Sequence, residues 1–137
     1  MEIVVREAKG KVPVTIMGLT GALDASNYLD VIARAEKLYA AGSRYLLLDL
    51  SDLTSMASSG LMALHSAAMI MRGMEPPDPE YGWGAFRAVE RDRQRGFNKH
   101  CKLLNPQPVV DRTLEMTGFK TVLEVHTDLD TALASFG

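Results

Sequence analysis

Hydrophobic and polar positions along this chain switch between a period of two and a period near three and a half, and the switches set out an α/β order. Ile3, Val4 and Val5 form a short β-branched run. Lys9, Gly10 and Lys11 follow as a polar turn, and a second β-rich run fills 12–17 (VPVTIM) before Gly18. Two such runs around a short turn predict a hairpin. Pro13 cannot donate to a ladder, so it suits an edge or a strand beginning. Asp24, Ala25, Ser26 and Asn27 then make a helix-start signal. After it, Tyr28, Leu29, Ile32, Ala35, Leu38 and Tyr39 recur at spacings of three and four, which is one apolar helix face. Gly42 suits the C-terminal stop.

Residues 45–48 (YLLL) are apolar without a break, which predicts a central strand covered on both faces. A polar loop is expected over 51–55. Ser58, Ser59 and Gly60 open a second helix, which Leu61, Leu64, His65, Ala68 and Ile70 or Met71 continue. Residues 101–104 (CKLL) predict a strand ended by Asn105 and Pro106. Val109, Val110, Leu114 and Met116 predict a helix stopped by Gly118, and 122–125 (VLEV) a further strand. A last helix is expected over 127–136, capped by Thr127 or Asp128, with Leu129, Ala132, Leu133 and Phe136 on one face. The order β-β-α-β-α-β-α-β-α predicts a single α/β domain over 1–137. Its sheet is mixed, mainly parallel and of four or five strands, with about four helices.

Residues 73–100 interrupt this order as an insertion between the second helix and the following strand. They hold Pro76, Pro77, Pro79, Gly82, Gly84 and Gly96, an acidic first half and a basic second half. A connection of this length in a compact domain is uncommon and is usually functional or disordered. Four of the nine aromatic residues lie here (Tyr81, Trp83, Phe86, Phe97), whereas disordered segments are aromatic-poor. Trp83 and Phe86 are therefore candidate anchors on the domain or on a partner.

Composition narrows the function classes. With 137 residues, 47% hydrophobic and 23% charged, the chain buries a core without needing a disulfide or metal. A formal net charge of -2 offers no basic field for nucleic acid or anionic lipid. Cys101 is the only cysteine, and His65, His100 and His126 show no metal-ligand spacing with it. No stretch approaches the roughly 18 apolar residues of a membrane span, and the N-terminus lacks the apolar core of a signal peptide. A cytoplasmic protein without cofactor, nucleic-acid partner or membrane insertion is expected. Neither a G-x-S-x-G elbow nor a G-x-x-x-x-G-K-[ST] loop is present, so an enzyme is not expected.

Residues 49–61 (DLSDLTSMASSGL) resemble the core of the STAS family: an apolar strand, D-x-S, a short loop, then D-[ST]-[ST]-G-[LIV] opening a helix. GALD at 21–24, the Asn105–Pro106 turn after 103–104, and TLEMTGF at 113–119 match three further family motifs in the same order. The resemblance spans nearly the whole chain outside 73–100. It implies an anti-sigma factor antagonist that acts in transcription regulation by binding an anti-sigma factor, itself a serine-protein kinase. It also implies that Ser58 is the phosphorylated residue, with phosphate opposing binding. Asp24, Ser58, Ser59, Gly60 and Met62 are then the partner-binding residues, Gly60 letting a partner or its nucleotide approach the backbone. The family's Asp before the phosphosite is Ala57 here, which favours as an alternative a STAS scaffold held in its binding state, in a signalling or transporter-associated complex. A homodimer is left open. Apart from the resemblance, Ser58 and Ser59 have helix capping as their simplest role, and Asp24 is a good N-cap on sequence alone.

Overall fold

The structure, a computed structural model, describes residues 1–75 and 96–137. Strand β1 (Glu2–Lys9) pairs antiparallel with β2 (Pro13–Leu23) in one unbroken register from Glu2·Thr20 to Lys9·Pro13. Helix α1 (Tyr28–Ala40) leads to β3 (Leu46–Asp49) and then to β4 (Leu53–Met56). Helix α2 (Ser58–Met71) follows, then β5 (Cys101–Leu104), α3 (Pro108–Met116), a 3-10 turn (Phe119–Thr121), β6 (Val125–His126) and α4 (Leu129–Ser135). The sheet has six strands in the order β1-β2-β3-β5-β6, with β4 paired to β2 beyond the end of β3. All pairings except β1·β2 are parallel. The result is a single mixed α/β domain with four helices among the described residues.

Side-chain alternation divides the core into two layers. Met17, Leu19, Leu46, Leu48, Cys101 and Leu103 face α1, α2 and α3, meeting Val31, Ile32, Leu64, Ala67, Val110 and Leu114. Val14, Ile16, Leu47 and Leu104 face the opposite way, onto Ala132 and Phe136 at α4. Among the described residues one side of the sheet thus carries three helices and the other a single short one. Helix α2 is buried almost all round, from Gly60 to Ala68 without interruption, because it packs between α1 and the sheet. His65 lies inside it, 2% exposed, edge-on to the Phe119 ring.

Three local expectations change. The stretch read as a polar loop contains β4, whose Leu53 is buried while Thr54 and Ser55 are exposed. Strand β2 does not stop at Gly18; it runs to Leu23, with a register shift between Gly21 (φ +95°) and Ala22. Leu29 is 51% exposed, and Val31 takes its place in the core. Gly42 does end α1: at φ +108° it lets its own N–H reach Tyr39 O and the Ser43 N–H reach Leu38 O. No helix among the described residues is long and apolar enough to cross a membrane. The segment 76–95, with Trp83 and Phe86, lies outside the described residues.

Candidate functional site

Strands β2, β3, β4 and β5 point the same way, so the residues that follow them gather at one edge of the sheet. In open α/β folds this carboxyl edge is where ligands are met. Leu23 and Met56 are register partners, and the Ala57 N–H donates to Leu23 O at 2.9 Å. Asp24 follows the first and Ser58 follows Ala57, so sheet pairing brings both to one corner of the molecule.

Asp24 does not cap α1. The helix starts after Asn27 with no side-chain cap. The Asp24 Oδ1 instead accepts from the backbone N–H of Ser26 at 2.9 Å and from its hydroxyl at 2.5 Å, a turn closed two residues on. Asn27 completes the corner: its Oδ1 accepts from the Asp24 N–H and its Nδ2 donates to Ala22 O. The Ser26 hydroxyl, then its N–H, holds the Asp24 carboxyl below the usual carboxylate range. The site therefore carries a fixed negative charge at neutral pH.

Ser58 is the first residue of α2 and is exposed; Ser59 is half-buried. Neither is the cap. The N-cap position is Ala57, with φ -84° and ψ 173°, and it has no side-chain oxygen to accept from the first turn. The first turn also lacks an acidic residue. The N–H groups and positive dipole end of α2 thus lie beside the Ser58 hydroxyl without a cap from the N-cap side chain.

Gly60 has a different role from the one expected of it. It is buried, and a β-carbon there would stand 2.6 Å from Met56 Cγ and 3.0 Å from Leu23 Cγ. The missing side chain admits the domain's own β2 and β4. Met62, in the same helix, is only 5% exposed and so presents little surface.

The neighbouring loop is braced from both sides. Ser51 donates its N–H and hydroxyl to Asp49 Oδ1. Asn105, at φ 53°, donates to Ser51 Oγ at 3.2 Å, and Gln107 Nε2 donates to Ser51 O at 2.8 Å. Thr54 Oγ1 donates to Gly21 O, and the Gly21 N–H donates to Asp52 O. Gln107 escaped the sequence reading; its place between the Asn105–Pro106 turn and a helix start was the available signal. Helix α3 packs beside β4. It buries Val110 and Leu114, while Val109 is 63% and Met116 76% exposed. In the sequence all four serve only to predict a helix, without assigning its faces. Val109 and Met116 lie two turns apart on an outward face of α3.

Among the described residues no cluster of three or more His, Cys, Asp or Glu side chains could hold a metal ion. Burial pushes the Cys101 thiol up to about 12.

The family profile of the STAS domain matches residues 5–72, the stretch that runs from β1 through the Ser58 corner to the end of α2. The chain belongs to the STAS domain family. No curated protein sequence matches it significantly. Solved STAS-like structures share its fold across nearly its full length. A Thermotoga maritima protein assigned as an anti-sigma factor antagonist aligns with TM-score 0.67 at 16% identity, over 94% of this chain and 91% of that one. An anti-sigma factor antagonist from Mycobacterium paratuberculosis aligns with TM-score 0.65 at 16% identity, over 98% and 93%. The anti-sigma factor antagonist SpoIIAA aligns in its unphosphorylated form with TM-score 0.59 at 17% identity, over 96% and 93%. The phosphorylated form of SpoIIAA, described as a Bacillus cell fate determinant, aligns with TM-score 0.54 at 16% identity, over 96% of both chains. At these identities the likeness speaks for the STAS fold alone.

Proposed function

We propose that this STAS domain is a cytoplasmic anti-sigma factor antagonist. It binds an anti-sigma factor that is also a serine-protein kinase, and phosphorylation of Ser58 switches the binding off. One observation carries the proposal: an exposed serine at the start of a buried helix whose N-terminus has no side-chain cap. A phosphate on Ser58 brings about -1.5 to -2 charges at pH 7. The free N–H groups and the helix dipole accept that charge, so the domain keeps its fold. A partner seated over the same corner meets a hydrated dianion, and binding weakens. Asp24, Ser59 and the outward Val109 and Met116 supply the surrounding contact surface, which Trp83 and Phe86 are proposed to extend.

Ala57 favours a second reading. Where the family pattern has Asp, this chain has Ala57, so the residue before Ser58 brings no carboxylate to orient the serine hydroxyl or a kinase-bound metal. The domain would then be a scaffold held in its binding state. Phosphate mapping by mass spectrometry on protein purified from its own cells separates the two. Phosphate on Ser58, lost on Ser58→Ala, supports the switch. Unmodified Ser58 under every growth condition overturns it and leaves the scaffold.

A further inference from the structure

Among the described residues strand β1 is the free edge of the sheet, and its edge matches itself. It is eight residues long, and its register with β2 contains no bulge. The opposite edge, β6, has only two residues. Long, regular edges present a row of unpaired N–H and C=O groups, and proteins normally blunt them or pair them. Val4 lies at the middle of the first half of β1 and is 50% exposed. Glu2 and Arg6 flank it two residues away on the same face, and both are exposed. On the other face Ile3 and Val5 are partly buried against the helix layer.

We propose that two copies of this chain associate through β1, antiparallel about a two-fold axis at Val4, forming one continuous twelve-stranded sheet from the two six-stranded ones. A two-fold axis normal to the sheet places residues of equal parity opposite each other. With the axis at Val4, Glu2 stands opposite Arg6 of the second copy and Arg6 opposite its Glu2. Val4 meets Val4, and Ile3 meets Val5. Over residues 2–6 each charge then faces its opposite, and each apolar side chain faces an apolar one. Neighbouring registers lose this match. An axis at Ile3 sets Glu2 against Val4; one at Val5 sets Val4 against Arg6; one at Arg6 sets arginine against arginine. Cross-strand pairs of opposite charge stabilise a sheet, and like charges directly opposite destabilise it. The occupant of the edge is thus a second copy, selected by charge and by apolar register together. The groove beside β1, lined by Met1, Ile3, Asp30, Ala33, Arg34 and Lys37, carries both signs of charge and is left open next to the axis.

Sedimentation velocity across a dilution series, loaded up to about 100 µM, tests this, since a modest interface has a micromolar dissociation constant. The wild-type chain is expected to dimerise. Arg6→Glu puts glutamate opposite glutamate and weakens dimerisation by about tenfold or more, as Val4→Lys does by setting lysine on lysine at the axis. The swap Glu2→Arg with Arg6→Glu restores the dimer. These side chains are exposed, so the variants keep the fold, and circular dichroism spectra matching wild type show it. A wild-type chain that stays monomeric over the whole series overturns the proposal. So does a dimer indifferent to Val4→Lys, or a double swap that behaves like Arg6→Glu alone.

Discussion

A β-carbon on residue 60 would press into Met56 Cγ and the Leu23 side chain at 2.6–3.0 Å, contacts that hold the start of α2 against β2 and β4. Gly60→Ala gains roughly 1 kcal/mol of helix propensity and loses about 1–3 kcal/mol to overpacking. The expected net effect is a lower urea midpoint with an unchanged slope; an equal or higher midpoint would contradict this packing role. The two aspartates held below the usual carboxylate range give a second residue-scale expectation. Asp24 is held by Ser26, and Asp128 by the N–H and then the hydroxyl of Thr131 at the start of α4. Because the folded pKa lies below the unfolded one, their stabilisation is present at neutral pH and fades as pH falls through the folded value. Asp128→Ala should therefore be less stable than wild type at neutral pH, with the gap narrowing as pH falls below the ordinary carboxylate range. A gap that stays constant with pH would assign the effect to something other than the carboxylate. Ser58 and Asp24 were legible in the sequence because their motif names them. The packing role of Gly60 was not, since a sequence does not say which side chains stand over a glycine.

Helix α4 is only seven residues long, yet it covers the middle of one side of the sheet. Lys102 explains how it stays in place. Its side chain leaves β5 on the α4 face, 4% exposed, and its ammonium donates to Ser135 O and Ser135 Oγ at 3.0 Å. The same ammonium meets Glu124 Oε2 at 2.8 Å and lies 5.0 Å from the Phe136 ring centre. A cation thus caps the carbonyl end of the helix while a carboxylate from the neighbouring segment neutralises it. Removing the carboxylate alone strands a buried charge. Glu124→Ala should cost about 1–2 kcal/mol, discounted because Glu124 is a third exposed, and more than Lys102→Met costs. Chemical denaturation of both variants checks the ranking, and the reverse order would contradict it. Most elements were readable from apolar periodicity. Strand β4 was not, because Thr54 and Ser55 face solvent and leave Leu53 and Met56 as its only apolar positions. Nor was the end of β2, where Gly18 sits in register between Val4 and Asp49 without ending the strand.

At the scale of the whole molecule, the two core layers meet at the central strands, so reaching the middle of the sheet requires opening the domain. Cys101 reports on that. It is fully buried at the start of β5, with its thiol pushed up to about 12 by burial. Native protein should resist iodoacetamide at neutral pH and react at once in denaturant; rapid native labelling would mean that β5 opens on its own. The α/β class and the family were legible because motif order and element order agree along the chain. The proposed partner surface was only half legible: the motif marks Ser58, but the outward turn of Val109 and Met116 follows from how α3 seats on β4. The central claim is that Ser58 controls partner binding without controlling the fold. Quantitative affinity capture with wild type, Ser58→Ala and Ser58→Asp as parallel baits tests it most directly. Wild type and Ser58→Ala should retain an anti-sigma kinase, and Ser58→Asp should lose it at an unchanged melting temperature. Equal capture of the same partner by all three baits would contradict the claim.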